Sequence, residues 1–155
     1  MIIRLCYASI RHESSNDLIE DLNSILSTAR NFNRKNEIYG VLYYANNHFF
    51  QCIEGENHIV KELFQRIKTD TRHQNIIEFE ITSIDTISFK NWSMKYVQKC
   101  SKINLFFNNL GFKMFTPTAL KDENLNIFLK VLLCEKQVSI RKKVGLNLRG
   151  VTPYL

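Results

Sequence analysis

Tyr7, Asn33 and Gln51 are the side chains here whose types and placement could serve a common ligand. Gln51 sits in His48-Phe49-Phe50-Gln51-Cys52-Ile53-Glu54-Gly55, where strand alternation puts it on the side of Phe49 and Ile53. A primary amide on an apolar face costs about 1–3 kcal/mol unless its donors and acceptor find partners. Tyr7 falls on the inward side of another alternating segment, with Ile3 and Leu5, while Cys6 and Cys52 point away. Asn31 and Asn33 are amides beside an apolar stripe near the end of a helix, and Trp92 and Met94 come from the last strand-like segment. No serine or cysteine stands beside a histidine and a carboxylate, and no glycine loop could cradle phosphate. Amides, a phenol and aromatic walls suit a planar heterocycle with donors and acceptors along one edge.

The elements that must position these groups follow from periodicity. Residues 2–9 alternate as a strand. Asp17 with Glu20 resembles a capping box. Leu18, Ile19, Leu22, Ile25, Leu26, Ala29 and Phe32 then recur at helical spacing, to about Arg34. Residues 38–45 and 48–54 read as strands joined by Asn46-Asn47, and asparagine's tolerance of positive φ predicts a tight hairpin. Ile59, Val60, Leu63, Phe64 and Ile67 form the stripe of a second helix ending near Asp70-Thr71-Arg72-His73. Residues 76–84 alternate as one strand and residues 92–97 as another, which places Trp92, Met94 and Tyr96 on one face.

The order β-α-β-β-α-β-β predicts an α+β, ferredoxin-like fold with two helices on one face of a largely antiparallel sheet. Two further helices, about residues 103–110 and 122–135, are split by Pro117. They are expected to cover the bare face of the sheet or to pack against a partner. Residues 1–98 form the ligand-binding domain, and residues 99–155 an extension with a basic tail rather than an independent domain.

Composition narrows the function classes. At 155 residues and 45% hydrophobic, the chain fits one domain with an appendage. It has no run of about 18 apolar residues and no signal-peptide layout, so a cytoplasmic protein without a membrane segment is expected. Cys6, Cys52, Cys100 and Cys134 are scattered singly, which argues against a metal site and reads as buried small hydrophobes. Much of the net charge of +6 comes from Arg141, Lys142, Lys143 and Arg149. Such a run is ordinarily a solvated end, although it can also meet nucleic acid or an acidic partner.

The sequence resembles the BLUF domains, blue-light sensors that use flavin, over roughly residues 2–98. The resemblance is carried by Leu5-Cys6-Tyr7-Ala8-Ser9, by Asn33 seven residues before Gly40, and by Gly40-Val41-Leu42-Tyr43-Tyr44. It continues through Phe49-Phe50-Gln51-Cys52-Ile53-Glu54-Gly55, Asp70-Thr71-Arg72-His73 and Trp92-Ser93-Met94. Over its full length the chain is similar to the short single-domain members, such as those of Acinetobacter. The resemblance implies a flavin between the two helices, with Asn33 at its N3–H and C4 carbonyl edge and Gln51 bridging Tyr7 and the N5/O4 side. Ile25 and Ile67 would sandwich the ring, with Phe49 and Leu42 nearby, and Arg72, His73 and Asp70 would hold the O2 and ribityl side. Tyr7 and Gln51 would form the photoactive switch, with Trp92 and Met94 passing its state to the last strand and the C-terminal helices. Two departures stand out. Phe32 replaces a polar residue or histidine of many relatives, and the tyrosine-to-glutamine spacing is two residues longer, with the extra length expected in the loop at residues 12–16.

FAD is the implied cofactor, with FMN or riboflavin able to occupy the same pocket. No enzyme is expected, and with no output domain in view the signal would leave through the C-terminal helices to a regulatory protein, transcription regulators being the implied class. An oligomer remains open. An RNA-binding module of the RRM type is the alternative from another class, but Tyr43, Tyr44, Phe49 and Phe50 do not form an aromatic–basic stripe, which argues against direct nucleic-acid binding. A flavoenzyme is the other alternative, and it lacks a candidate base or substrate pocket.

Overall fold

A computed structural model describes residues 1–13, 16–98 and 101–140 of the chain. The strand β1 (Ile2–Arg11) leads into the helix α1 (Leu18–Asn36). Asp17 caps this helix by accepting from the Glu20 N–H at 2.8 Å, as the spacing predicts. Glu37, at φ 54°, closes it in the left-handed conformation. Strands β2 (Tyr39–Ala45) and β3 (His48–Glu56) form a hairpin whose turn residues Asn46 and Asn47 both take positive φ. The helix α2 (Asn57–Lys68) and the strands β4 (His73–Glu78), β5 (Thr82–Ser83) and β6 (Lys95–Gln98) follow. Helices α3 (Ser101–Asn109) and α4 (Asp122–Cys134) are separated by a short 3₁₀ turn at Pro117–Ala119.

The sheet runs β4-β1-β3-β2-β6, with β5 also paired to β1. All pairings are antiparallel except β2 with β6. This is the ferredoxin-like arrangement extended by one parallel edge strand. Alternation on β1 and β3 divides two hydrophobic cores. Ile3, Leu5, Tyr7, Phe49 and Ile53 face α1 and α2. Cys6, Ala8, Phe50 and Cys52 face the other way, beneath Phe107, Phe128, Leu129 and Leu132 of α3 and α4. The C-terminal helices therefore cover the second sheet face themselves, the first of the two expected arrangements. They also bury Tyr43 and Phe50, so the face an RRM would present to RNA is closed.

Three boundaries differ from the sequence expectation. The segment at residues 76–84 is two strands: Phe79 still donates its N–H to Cys6 O and packs on the far core, but the ladder then lapses and the chain pairs with β1 again only at Thr82. His73 opens β4 rather than closing α2, which ends at Lys68. The last strand begins at Lys95, not Trp92. Trp92 therefore escapes strand alternation and packs against the far core, whereas Met94 and Tyr96 lie in the core under α1 and α2. The basic residues Arg141, Lys142, Lys143 and Arg149, and also Cys100, lie outside the described residues.

The loop that brings Trp92 and Met94 to the sheet is pinned by Glu54. This fully buried carboxylate accepts from Arg4 Nε at 2.9 Å and from the N–H groups of Ser88 and Phe89. Gly40 approaches β3 so closely that a Cβ there would lie 2.1 Å from the Cys52 carbonyl oxygen, and its N–H donates to Trp92 O.

Candidate cofactor site

A cavity of about 250 Å³ opens between α1 and α2 above the central strands. Ile25, Ala29 and Phe32 wall it on the α1 side and Leu63 and Ile67 on the α2 side, with Leu42 and Phe49 on the sheet between them. Two flat apolar walls with polar groups at the ends make a slot for a planar ring.

Tyr7 and Gln51 are direct register partners on β1 and β3, both 4% exposed. The Tyr7 hydroxyl donates to Gln51 Oε1 at 2.5 Å, and Gln51 Nε2 points to Met94 Sδ at 3.7 Å. The amide thus has one strong partner and one weak one. Burial pushes the Tyr7 phenol well above its ordinary pKa, the Asp70 charge adds to this and Arg72 opposes it. Tyr7 is therefore held as a neutral donor, its ring 5.3 Å from Phe64 and edge-on to His73.

Asn33 lines the cavity near the end of α1, and its Nδ2 donates to Ser93 O at 2.6 Å. Its Oδ1 is buried without a partner. An unmet buried acceptor costs about 1–3 kcal/mol, and a ring N–H seated in the slot would satisfy it. At the other end, Asp70 and Arg72 form an ion pair at 2.6 Å, and Arg72 Nη1 reaches Ser24 Oγ. Burial opposes the charge on Asp70, but its hydrogen bonds to Arg72 hold the carboxyl below its usual value.

Not every expected residue enters the slot as a hydrogen-bonding group. His73 lines the wall, but Ile67 O takes its Nε2–H at 2.7 Å and Ser9 Oγ lies 2.8 Å from Nδ1, so both nitrogens are engaged by the protein. Met94 is buried behind Gln51 rather than on the cavity surface. Asn31 is exposed, since it lies about half a helical turn from the stripe of Ala29 and Asn33. Trp92 lies outside, on the opposite side of the sheet.

Sequence reasoning passed over Thr28, Leu63 and Arg66 on the walls, and Ser9 and Arg30 behind them. Helical spacing from Ile25 and Ile67 could have found Thr28 and Leu63, and Arg66 lies three residues on from Leu63. Arg66 lies over the Phe32 ring at 5.3 Å, so the position that departs from many relatives takes part in a contact joining the two helices at the cavity. No described helix is long and apolar enough to cross a membrane, and no metal-binding cluster occurs among the described residues.

The family of sensors of blue light using FAD, BLUF, matches residues 2–95. The chain belongs to the BLUF family. As such it is a flavin-binding blue-light photoreceptor domain. The structure of BlsA in its ground state is similar with a TM-score of 0.88, at 49% identity over 93% of this chain and 95% of that one. BlsA in its photo-activated state gives 0.87 at 51% identity, over 90% and 99%. The dark-state BLUF protein BlrB is more distant, with a TM-score of 0.72 at 28% identity, over 85% of this chain and 95% of that one. Among curated proteins, the blue light- and temperature-regulated antirepressor BluF of Escherichia coli K12 is 32% identical over 78 residues. That match spans 50% of this chain but only 19% of that protein, so the likeness to BluF is one of sensor domains.

Proposed function

We propose that the cavity between α1 and α2 holds FAD and that the Tyr7–Gln51 pair is its light-driven switch, in a cytoplasmic protein that signals by contact with a regulatory protein rather than by catalysis. The observation that carries the reading is the buried Tyr7–Gln51 hydrogen bond at 2.5 Å at the cavity wall, with only a thioether on the other side of the amide. Asn33 offers its open acceptor to the ring edge, Ile25 and Ile67 enclose the faces, and Asp70 with Arg72 closes the far end.

Bound flavin supplies the absorption of blue light and, once excited, a strong oxidant. Tyr7 is the group placed to give up an electron and its phenolic proton and to take both back, because Gln51 Oε1 already receives its hydrogen bond. Gln51 presents an acceptor to Tyr7 in the structure, and rotation or tautomerisation reverses that face. A donor then replaces an acceptor beside the ring edge, and Met94 loses the N–H it now meets. The change is local and bistable, with its consequence at β6. Resemblance to an antirepressor's sensor domain supports a transcription regulator as the partner.

The test is a dark-minus-light difference spectrum of the flavin-loaded protein. A reversible red shift is expected in the parent, and neither Tyr7→Phe nor Gln51→Leu should show it. A shift retained in either variant would defeat the scheme.

A further inference from the structure

On the opposite face from the cavity, Lys95 makes contacts that the switch as described leaves unused. It is the first residue of β6 and is 1% exposed. Its neighbour Met94 lies in the cavity-side core, with Sδ 3.7 Å from Gln51 Nε2. Lys95 leaves on the other face, where Nζ donates to the Leu133 carbonyl at 2.8 Å. Leu133 belongs to the last turn of α4, where carbonyls lack helical partners and the negative end of the helix dipole lies. The ammonium also stands 4.3 Å from the centre of the Trp92 ring. Burial pulls its pKa below the ordinary lysine value, while Cys134 and Glu135 act in the opposite direction. A buried ammonium is costly once its partners leave, so these contacts bind β6 to α4 firmly.

We infer that Lys95 is a positioning residue of the photoswitch, passing a displacement of Met94 on the cavity face to the C-terminal end of α4 on the other. This rests on the sensor reading above. Gln51 cannot change what it presents to Met94 without changing the contact at Sδ. Met94 and Lys95 share one peptide unit, whose carbonyl accepts from Arg30 Nε of α1 at 3.0 Å. Held there, the unit turns rather than slides, and the side chains on either side move in opposite senses. Lys95 then either draws the Leu133 carbonyl with it or releases it. The end of α4 is where the change surfaces, and the exposed thiol of Cys134, next to Leu133, reports it.

The experiment compares the flavin-loaded full chain with Lys95→Met and Lys95→Arg. Each protein is measured for its reversible absorption shift and for the rate at which Cys134 takes up a maleimide in darkness and in light, located by peptide mass so that other thiols do not contribute. Methionine keeps the apolar stem but neither charge nor donors, and arginine keeps both. All three proteins should retain the absorption shift. In the parent the Cys134 rate should change several-fold between dark and light. Lys95→Met should bring that ratio to one, and Lys95→Arg should preserve much of it. If the methionine variant does not fold, Lys95→Gln serves the same end, since it is too short to reach Leu133 O and must also lose the ratio. A parental ratio in the variant lacking the bond overturns the inference, as does a parent whose spectrum shifts while Cys134 does not respond. A parent with no reversible shift overturns the sensor reading and this one together.

Discussion

At the residue scale, the unmet acceptor of Asn33 and the weakly satisfied donor of Gln51 are the groups that the proposed flavin would engage. Asn33→Leu removes the acceptor while keeping the side chain's approximate volume. Losing one buried hydrogen bond of about 1–2 kcal/mol should weaken flavin binding roughly tenfold. Flavin fluorescence titration checks this, and unchanged affinity would remove Asn33 from the ring edge. Tyr7 and Gln51 were legible in the sequence as polar groups on an apolar strand face, and Asn33 as an amide beside an apolar stripe, its role implied by the family resemblance. Trp92 was misplaced because alternation carries information only while the chain is a strand, and β6 begins three residues later. Asn31 was included for its type, although its helical phase points it to solvent. The family resemblance implies His73 as a ligand, yet the hydroxyl of Ser9 and a carbonyl of α2 occupy its nitrogens. No local pattern announces partners that arrive from two other elements.

At the scale of elements, the turn between α2 and β4 gives the cavity its charged end. Arg72 holds the Asp70 carboxyl below the ordinary value of 3.8, so Asp70 contributes stability that is full above that pH and is lost as pH falls through its lower value in the folded protein. The difference in melting temperature between the parent and Asp70→Asn should therefore be constant near neutrality and shrink below about pH 3.8. Thermal melts followed across acid pH measure it, and a difference that instead grows on acidification would reverse the assignment. The helices α1 and α2 and the hairpin β2–β3 were readable because cap, stripe and turn residues agree with one another. The break between β4 and β5 was not, since Phe79 keeps the alternation and its bond to Cys6 O, and nothing in the pattern of residues 76–84 marks where pairing lapses.

In the whole molecule, one sheet separates two cores of different character, one opened by the cavity proposed for the flavin and one a dense aromatic cluster. Phe128 of α4 sits at the centre of the second, fully buried and against the rings of Tyr43, Phe50, Phe106, Phe107 and Phe115. Phe128→Ala should cost about 3–5 kcal/mol. If α3 and α4 are part of the same cooperative unit as the sensor, that loss appears equally in urea unfolding followed by flavin absorbance and by far-ultraviolet circular dichroism. Two separated transitions would mark the C-terminal helices as an independent unit. The sequence foretold that something must cover the second face, but it left open whether these helices or a partner would do so. Only the packing of Phe128 on Tyr43 and Phe50, with Phe107 behind it, decides between them.

Gly40 carries a different kind of consequence. Because the Cys52 carbonyl fills the space a methyl group would need, no other amino acid fits there without prising β2 from β3 and loosening the anchor of the loop before β6. In a library of every substitution, sorted by the yellow colour of the cells, that column should be blank apart from glycine. Alanine at Gly55, whose Cβ would meet the Ile38 side chain at 3.2 Å and the Glu37 carbonyl oxygen at 3.3 Å, asks only for a shift of a few tenths of an ångström and should dim the colour rather than abolish it.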